Sequence, residues 1–237
     1  QYTQTLEEFH KAGGWNADAI VFGLDRLCRN LETGHCRFPL YTEEEIAADP
    51  DKKDPFLLFF PSEDPKADER PWILVAPGGA YINVWSLTEG YPVAARFNDL
   101  GYHAFVINYR VSIDGLFPRP LEDIARALTV IRDPKNAFPV RWDNYAAVGF
   151  SAGANLTIRT ATNWKKPMYE KVDDADDFSC RPDFQMPIYP WDLLPDNVRK
   201  DHLPVDQLKP EYPITRETPP AFIAQAQDDF CKVETAV

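Results

Sequence analysis

The chain has 237 residues, 44% of them hydrophobic and 26% charged, with a formal net charge of −12. This is the composition of an ordinary globular protein with ample core, and it requires no second fold. The acidic balance excludes a general nucleic-acid or anionic-membrane surface, because phosphate binding needs a basic face.

Residues 1–55 read as an N-terminal helical extension. Within it, Asn16 to Leu31 carries Ile20, Leu24, Leu27, Cys28 and Leu31 on one helical stripe that stops near Gly34, a C-terminal capping residue. Tyr41 to Asp54 is acidic and ends before a proline, as a short helix or surface connection would. Phe56-Leu57-Leu58-Phe59-Phe60 is a strand closed by Pro61, and Ser62 to Arg70 is a charged turn. Trp72-Ile73-Leu74-Val75-Ala76 is a second, fully apolar strand running straight into Pro77-Gly78-Gly79-Ala80-Tyr81. Paired glycines at a strand end let the backbone approach a ligand, so Gly79 and Ala80 are candidate donors of an oxyanion hole; a plain turn is the competing reading.

Gly90 to Leu100 fits a helix capped at Gly101, His103 to Tyr109 a third buried strand, and Pro118 to Arg132 a helix with Leu121, Ile124, Leu128 and Ile131 along one side. Tyr145-Ala146-Ala147-Val148-Gly149-Phe150 is then a buried strand, and Ala152 to Ala161 a helix. Between them Gly149, Ser151 and Gly153 make the G-x-S-x-G spacing of a nucleophile elbow. Strand and helix lie so close at such a turn that β-carbons two residues either side of the serine have no room. The new helix presents unpaired amides, that of Ala152 among them, to a negative oxygen. The plain alternative is a serine that merely caps a helix.

Asp173-Asp174-Ala175-Asp176-Asp177 lacks the glycine and terminal glutamate of a calcium loop and reads as a solvated acidic loop. Phe184 to Tyr189 is another strand. Residues 190–220, rich in proline and without periodicity, form a lid-like loop in which Trp191 and Tyr212 either line a pocket or anchor the loop. Ala221 to Ala226 is the last strand, and Asp228-Asp229 follows at its C-terminal end, where open parallel sheets place their ligands. An acid there could orient a histidine; a helix N-cap would look the same. Alternating strands and helices imply an α/β class, with a mostly parallel sheet covered by helices on both faces.

The four cysteines, Cys28, Cys36, Cys180 and Cys231, lack paired metal-site spacing and are expected to be buried free thiols, with a Cys28–Cys36 pair as the alternative if the helix end between them folds back. No metal and no cofactor is implied. No apolar run reaches membrane-span length, and the chain opens Gln1-Tyr2-Thr3 without a basic, apolar leader, so the expected location is cytoplasmic with no membrane partner; the missing initiator methionine equally suits a product whose signal has been removed.

Taken together, Pro77 to Tyr81, Asn108-Tyr109-Arg110, Phe117-Pro118 with Pro120 to Asp123, Gly149 to Gly153, and Gln227-Asp228-Asp229 with Val233-Glu234 resemble an α/β hydrolase of the esterase/lipase group, close to acetylxylan-esterase-like members. The resemblance covers residues 56–237 as the hydrolase domain. It implies Ser151 as nucleophile, the amides of Gly79, Ala80 and Ala152 as oxyanion hole, and Asp229, in preference to Asp228, as the acid. It also implies a small-molecule or carbohydrate ester as substrate, short-acyl or acetyl, and no cofactor. A peptidase or amidase of the same fold and a non-catalytic binding protein are the alternatives. In this family the histidine follows the acid, whereas His10, His35, His103 and His202 all precede Asp229. The domain is therefore expected to be incomplete at its C-terminus, with the histidine supplied by a missing segment or a second chain; homo-oligomerisation is left open.

Overall fold

The structure is a computed structural model that describes residues 5, 8, 14–111, 117–141, 143–195, 208–226 and 229. Six strands form one sheet: β1 (Arg37–Pro39), β2 (Phe56–Phe60), β3 (Trp72–Ala76), β4 (Ala104–Asn108), β5 (Tyr145–Phe150) and β6 (Phe184–Ile188), in the order β1-β2-β4-β3-β5-β6. From β4 to β6 every neighbour is parallel, while β2 runs antiparallel to both β4 and β1. This is the mostly parallel mixed sheet of an α/β hydrolase.

The two-residue alternation of each strand divides the core into two layers. Leu57, Phe59, Trp72, Leu74, Phe105, Ile107, Tyr145 and Ala147 point to one face, where helices α4 (Arg119–Arg132) and α5 (Ala152–Asn163) bury Ile124, Leu128, Ile131 and Leu156. Leu58, Phe60, Ile73, Val75, Val106 and Val148 point to the other, covered by α1 (Ala17–Glu32) and α3 (Tyr91–Asp99) through Leu27 and Ala94. Gly23 of α1 lies against the start of α3, where an added β-carbon would sit 2.5 Å from the Pro92 nitrogen.

The helices start where the sequence supplies donors and acceptors. Asn16 accepts from Ala19 N–H at the head of α1, and Thr42 with Glu45 forms a reciprocal capping box on the short α2 (Glu43–Ala48). The N-terminal segment is built into the sheet. Its strand β1 adds the outer edge, and the Tyr41 hydroxyl donates to the buried Asp123 at 2.6 Å. Asp123 also accepts from the backbone N–H of Arg110 at 2.7 Å and from its Nε at 3.0 Å, and the same guanidinium reaches Glu122 at 2.9 Å. The chain thus closes a buried ion pair at the end of β4.

Two readings of local sequence change in three dimensions. The stretch Asp173 to Asp177 is not simply solvated: Asp173 and Asp176 grip the buried guanidinium of Arg126, the Asp176 contact at 2.9 Å, and the segment coils into a 3-10 turn over Asp174–Asp177. The segment expected as the last strand, 221–226, does run parallel to β6, but only as isolated bridges at Gln185↔Ala221 and Ile188↔Ala224. The missing link lies at Pro187, which has no N–H to continue the ladder between them. Among the described cysteines Cys28, Cys36 and Cys180 are all free, as expected, but burial holds only for Cys36: Cys180 is half-buried and Cys28 is exposed, on the outer side of α1. Among the described residues no helix is long and apolar enough to cross a membrane.

Removing Asp123 would strip the fully buried carboxylate from both the Arg110 guanidinium and the Tyr41 hydroxyl, leaving Arg110 only the more exposed Glu122 and, at 3.6 Å, Asp49. Asp123→Ala is therefore expected to lower unfolding free energy by about 3–5 kcal/mol, read from urea denaturation midpoints; a loss under about 1 kcal/mol would show that the pair is dispensable.

Candidate active site

At the C-terminal end of β5 the chain turns into α5 within a single residue. Ser151 takes φ 50° and ψ −116°, a conformation that a non-glycine residue holds only when its surroundings impose it. They do so from both sides: its N–H donates to Ile188 O at 3.0 Å, and its carbonyl accepts from Asn155 N at 3.0 Å and Trp191 N at 3.3 Å. The hydroxyl makes no capping bond to α5. The helix-cap reading of this serine is thereby removed, since Asn16 and Thr42 show what caps in this protein look like.

The glycines explain the spacing. A β-carbon on Gly149 would lie 2.4 Å from Gly153 O, and one on Gly153 would lie 2.0 Å from Ala76 O, so strand β3, strand β5 and helix α5 meet backbone to backbone. Gly78 belongs to the same junction: a β-carbon there would be 2.8 Å from the Ser151 β-carbon and 2.7 Å from Phe150 O. The loop after β3 is thus seated on the serine turn. Its next residues, Gly79, Ala80 and Tyr81, all have positive φ, at 126°, 54° and 59°. Gly79 O closes the loop on itself by accepting from Ile82 N at 3.0 Å and Asn83 N at 3.2 Å. Among the described residues, the amides of Gly79, Ala80 and Ala152 donate to no protein acceptor.

Residues to which the motifs gave no catalytic role support these loops. Asn155, one turn into α5, accepts from the Tyr81 hydroxyl at 2.9 Å and donates to Trp191 O at 2.8 Å and the Tyr212 hydroxyl at 2.7 Å. It ties the glycine loop to both described ends of residues 190–220. Tyr212 is accordingly a buried anchor of that loop, and Trp191 packs beside Tyr81. The Tyr109 hydroxyl donates to Pro77 O at 2.6 Å, which fixes where the loop leaves β3. Of these, Trp191 and Tyr212 were expected either to line a pocket or to anchor the loop, and Tyr109 lay in a motif without a stated role; for Asn155 the sequence offered only its place four residues after the serine, on the helix face that looks back at the turn.

Asp229 is half-buried beyond the bridge to β6, its N–H donating to Ala226 O at 3.2 Å. It lies near enough to Tyr189 that its charge joins burial and Glu89 in pushing that phenol's pKa up. Since Tyr189 follows Ile188, which accepts from Ser151 N–H, and pairs with Ala224, Asp229 follows a segment that ends at the same end of the sheet as the serine turn. Asp228 lies outside the described residues.

The histidines fall elsewhere. His103 is buried at the start of β4, with Nε2 2.8 Å from Asp68 and Nδ1 accepting from Ser62 N–H at 3.1 Å. As β4 and β5 point the same way, His103 is a strand length from Ser151, about 17 Å along the sheet, and its ring is already committed. His35 precedes β1, which also points the same way, and so lies at that opposite rim too. His10 and His202 lie outside the described residues.

The BD-FAE family matches residues 58–188, more than half of the chain, from β2 through the serine turn to the end of β6. The chain belongs to the BD-FAE family. The chain is 30% identical over 177 residues to endo-1,4-beta-xylanase B of Butyrivibrio fibrisolvens, covering 68% of this chain and 27% of that protein. It is 26% identical over 194 residues to an acetylxylan esterase of Xylanibacter ruminicola, covering 76% of this chain and 37% of the relative. Both of these proteins are thus much longer than the chain. The crystal structure of an acetyl ester-xyloside bifunctional hydrolase from Caldicellulosiruptor lactoaceticus superposes with a TM-score of 0.69 at 28% identity, covering 84% of this chain and 78% of that one.

If the φ of Ser151 stores strain, glycine relieves it and alanine does not. Ser151→Gly should be more stable than Ser151→Ala by about 1 kcal/mol, since left-handed backbone costs a residue with a β-carbon about that much; equal denaturation midpoints would mean an unstrained turn.

Proposed function

We propose that this chain carries the active centre of a serine ester hydrolase acting on short-acyl esters, acetyl groups on carbohydrate foremost. The observation that carries the reading is the Ser151 turn: a strained serine whose hydroxyl caps nothing, seated against a glycine loop in which the Gly79 and Ala80 amides, among the described residues, donate to no protein acceptor. The names of the xylanase, the acetylxylan esterase and the acetyl ester-xyloside hydrolase to which the chain is similar support the choice of acyl group and of carbohydrate.

In this reading the Ser151 oxygen attacks the ester carbonyl carbon, forming a C–O bond while a histidine takes the hydroxyl proton. The amides of Gly79, Ala80 and Ala152 meet the oxyanion that develops on the carbonyl oxygen. The tetrahedral intermediate collapses, the alcohol departs with the proton from the histidine, and an acyl-serine remains. Water then attacks that ester with the same histidine as base, and the carboxylic acid leaves. Asp229 holds the imidazole in the accepting tautomer. With His35 and His103 on the opposite rim, the base comes from outside the described residues, from the same polypeptide or from a second chain.

The full-length polypeptide should hydrolyse p-nitrophenyl acetate and take up a fluorophosphonate at Ser151, and Ser151→Ala should lower kcat by about a thousandfold or more. Unchanged turnover in that variant would take Ser151 out of the mechanism. A folded full-length protein that neither turns over nor labels would favour a non-catalytic hydrolase-fold binding protein.

A further inference from the structure

Glu89 is only 6% exposed, and among the described residues it has no cationic partner. Elsewhere in the described residues, Asp123 is paired with Arg110 and the low-exposure carboxylate of Asp176 with Arg126. A buried acid without a counter-charge is costly, and burial does push the Glu89 pKa up, against the hydrogen bonds it accepts. What its two oxygens hold is therefore informative. Oε2 accepts from the backbone N–H of Gly78 at 2.6 Å, and Oε1 accepts from the Tyr189 hydroxyl at 3.0 Å.

Both contacts lie at the centre of the site. Gly78 is the root of the Gly79-Ala80-Tyr81 run, in which three successive residues have positive φ, a run that cannot hold its shape without outside ties. Its carbonyl is held by Trp85 N at 3.0 Å; its N–H is held, among the described residues, by Glu89 alone. A β-carbon on Gly78 would lie 2.9 Å from Glu89 Oε2 and 2.8 Å from the Ser151 β-carbon, which puts the carboxyl directly behind the serine turn. At its other oxygen, Tyr189 follows β6, bonds Ala224 O at 2.7 Å through its N–H, and feels the charge of Asp229. One side chain thus connects the loop that would bind the oxyanion to the loop on the acid side.

We propose that Glu89 is a positioning residue for the oxyanion hole: by engaging the Gly78 amide and, through Tyr189, the end of β6, it sets the turn that leaves the Gly79 and Ala80 amides facing the Ser151 hydroxyl. This rests on the ester-hydrolase reading of the site. Glu89 touches no reacting atom; it acts through the donors it places.

The test is made on the full-length polypeptide with p-nitrophenyl acetate as substrate and phenylboronic acid as a probe of the tetrahedral state. Glu89→Ala should lower kcat about a hundredfold, the scale of one lost oxyanion donor, with KM within about threefold and boronate affinity falling in parallel with kcat. Glu89→Gln should stay within about tenfold of the unsubstituted protein, because a carboxamide oxygen still accepts from Gly78 and its NH2 can donate to the Tyr189 oxygen. Tyr189→Phe should lower kcat by a smaller factor, and its effect should largely vanish in the Glu89→Ala background. Denaturation midpoints establish that each variant is folded; should Glu89→Ala not fold, Tyr189→Phe carries the test, and unchanged kcat there overturns the proposal. So does a folded Glu89→Ala with kcat within threefold, or boronate affinity that stays fixed while kcat falls. Absence of turnover in the unsubstituted protein removes the hydrolase reading itself, and this role with it, whereas retained turnover in folded Glu89→Ala removes only the role of Glu89.

Discussion

The backbone contact between β3, β5 and α5 is the constraint on which the rest of the site depends. Gly149 faces Gly153 O and Gly153 faces Ala76 O at distances no β-carbon could occupy, so two strands and a helix share one junction with nothing between their main chains. That closeness forces Ser151 into positive φ, and the bonds from its own N–H and to its own carbonyl keep it there. The strain is local, whereas its support comes from β6 and the loop beyond it, elements more than thirty residues away in sequence.

Buried polar side chains then fix the loops relative to that junction. Each of them would cost free energy if left unsatisfied, so each acts as an all-or-none tie between remote segments. Asn155 joins the glycine loop to Trp191 and Tyr212, Arg126 gathers Asp173 and Asp176 against α4, and Asp123 draws Tyr41 and Arg110 together. The N-terminal segment is recruited in the same way, through Tyr41 and the β1 edge. Apolar alternation builds the two layers of the core, but it is these polar ties that decide how the rim above the sheet is arranged. A rim ordered by hydrogen bonds of fixed geometry can present a hydroxyl and a set of amides in one place, which a purely apolar contact could not specify.

Much of this was legible in the residues because it depends on near neighbours. Runs such as Trp72–Ala76 and Tyr145–Phe150 read as buried strands, the stripe on Arg119–Arg132 as an amphipathic helix, and the glycine spacing around Ser151 as a tight turn, with a capping serine as its rival. Periodicity and steric exclusion act over a few residues, so the chain itself determined the strands β2 to β6, the main helices, the two covered faces and the place of the serine. Tertiary structure decided what depends on a partner from far away. The direction of β2 and the addition of β1, the broken ladder at Pro187, and the burial of Asp176 against Arg126 are of this kind. So is the removal of His35 and His103 to the opposite rim, and so is the engagement of Glu89 with Gly78 and Tyr189. No pattern within ten residues of a buried acid says which distant amide or hydroxyl will come to meet it, since that is set only when the sheet has closed and water has been excluded from between them.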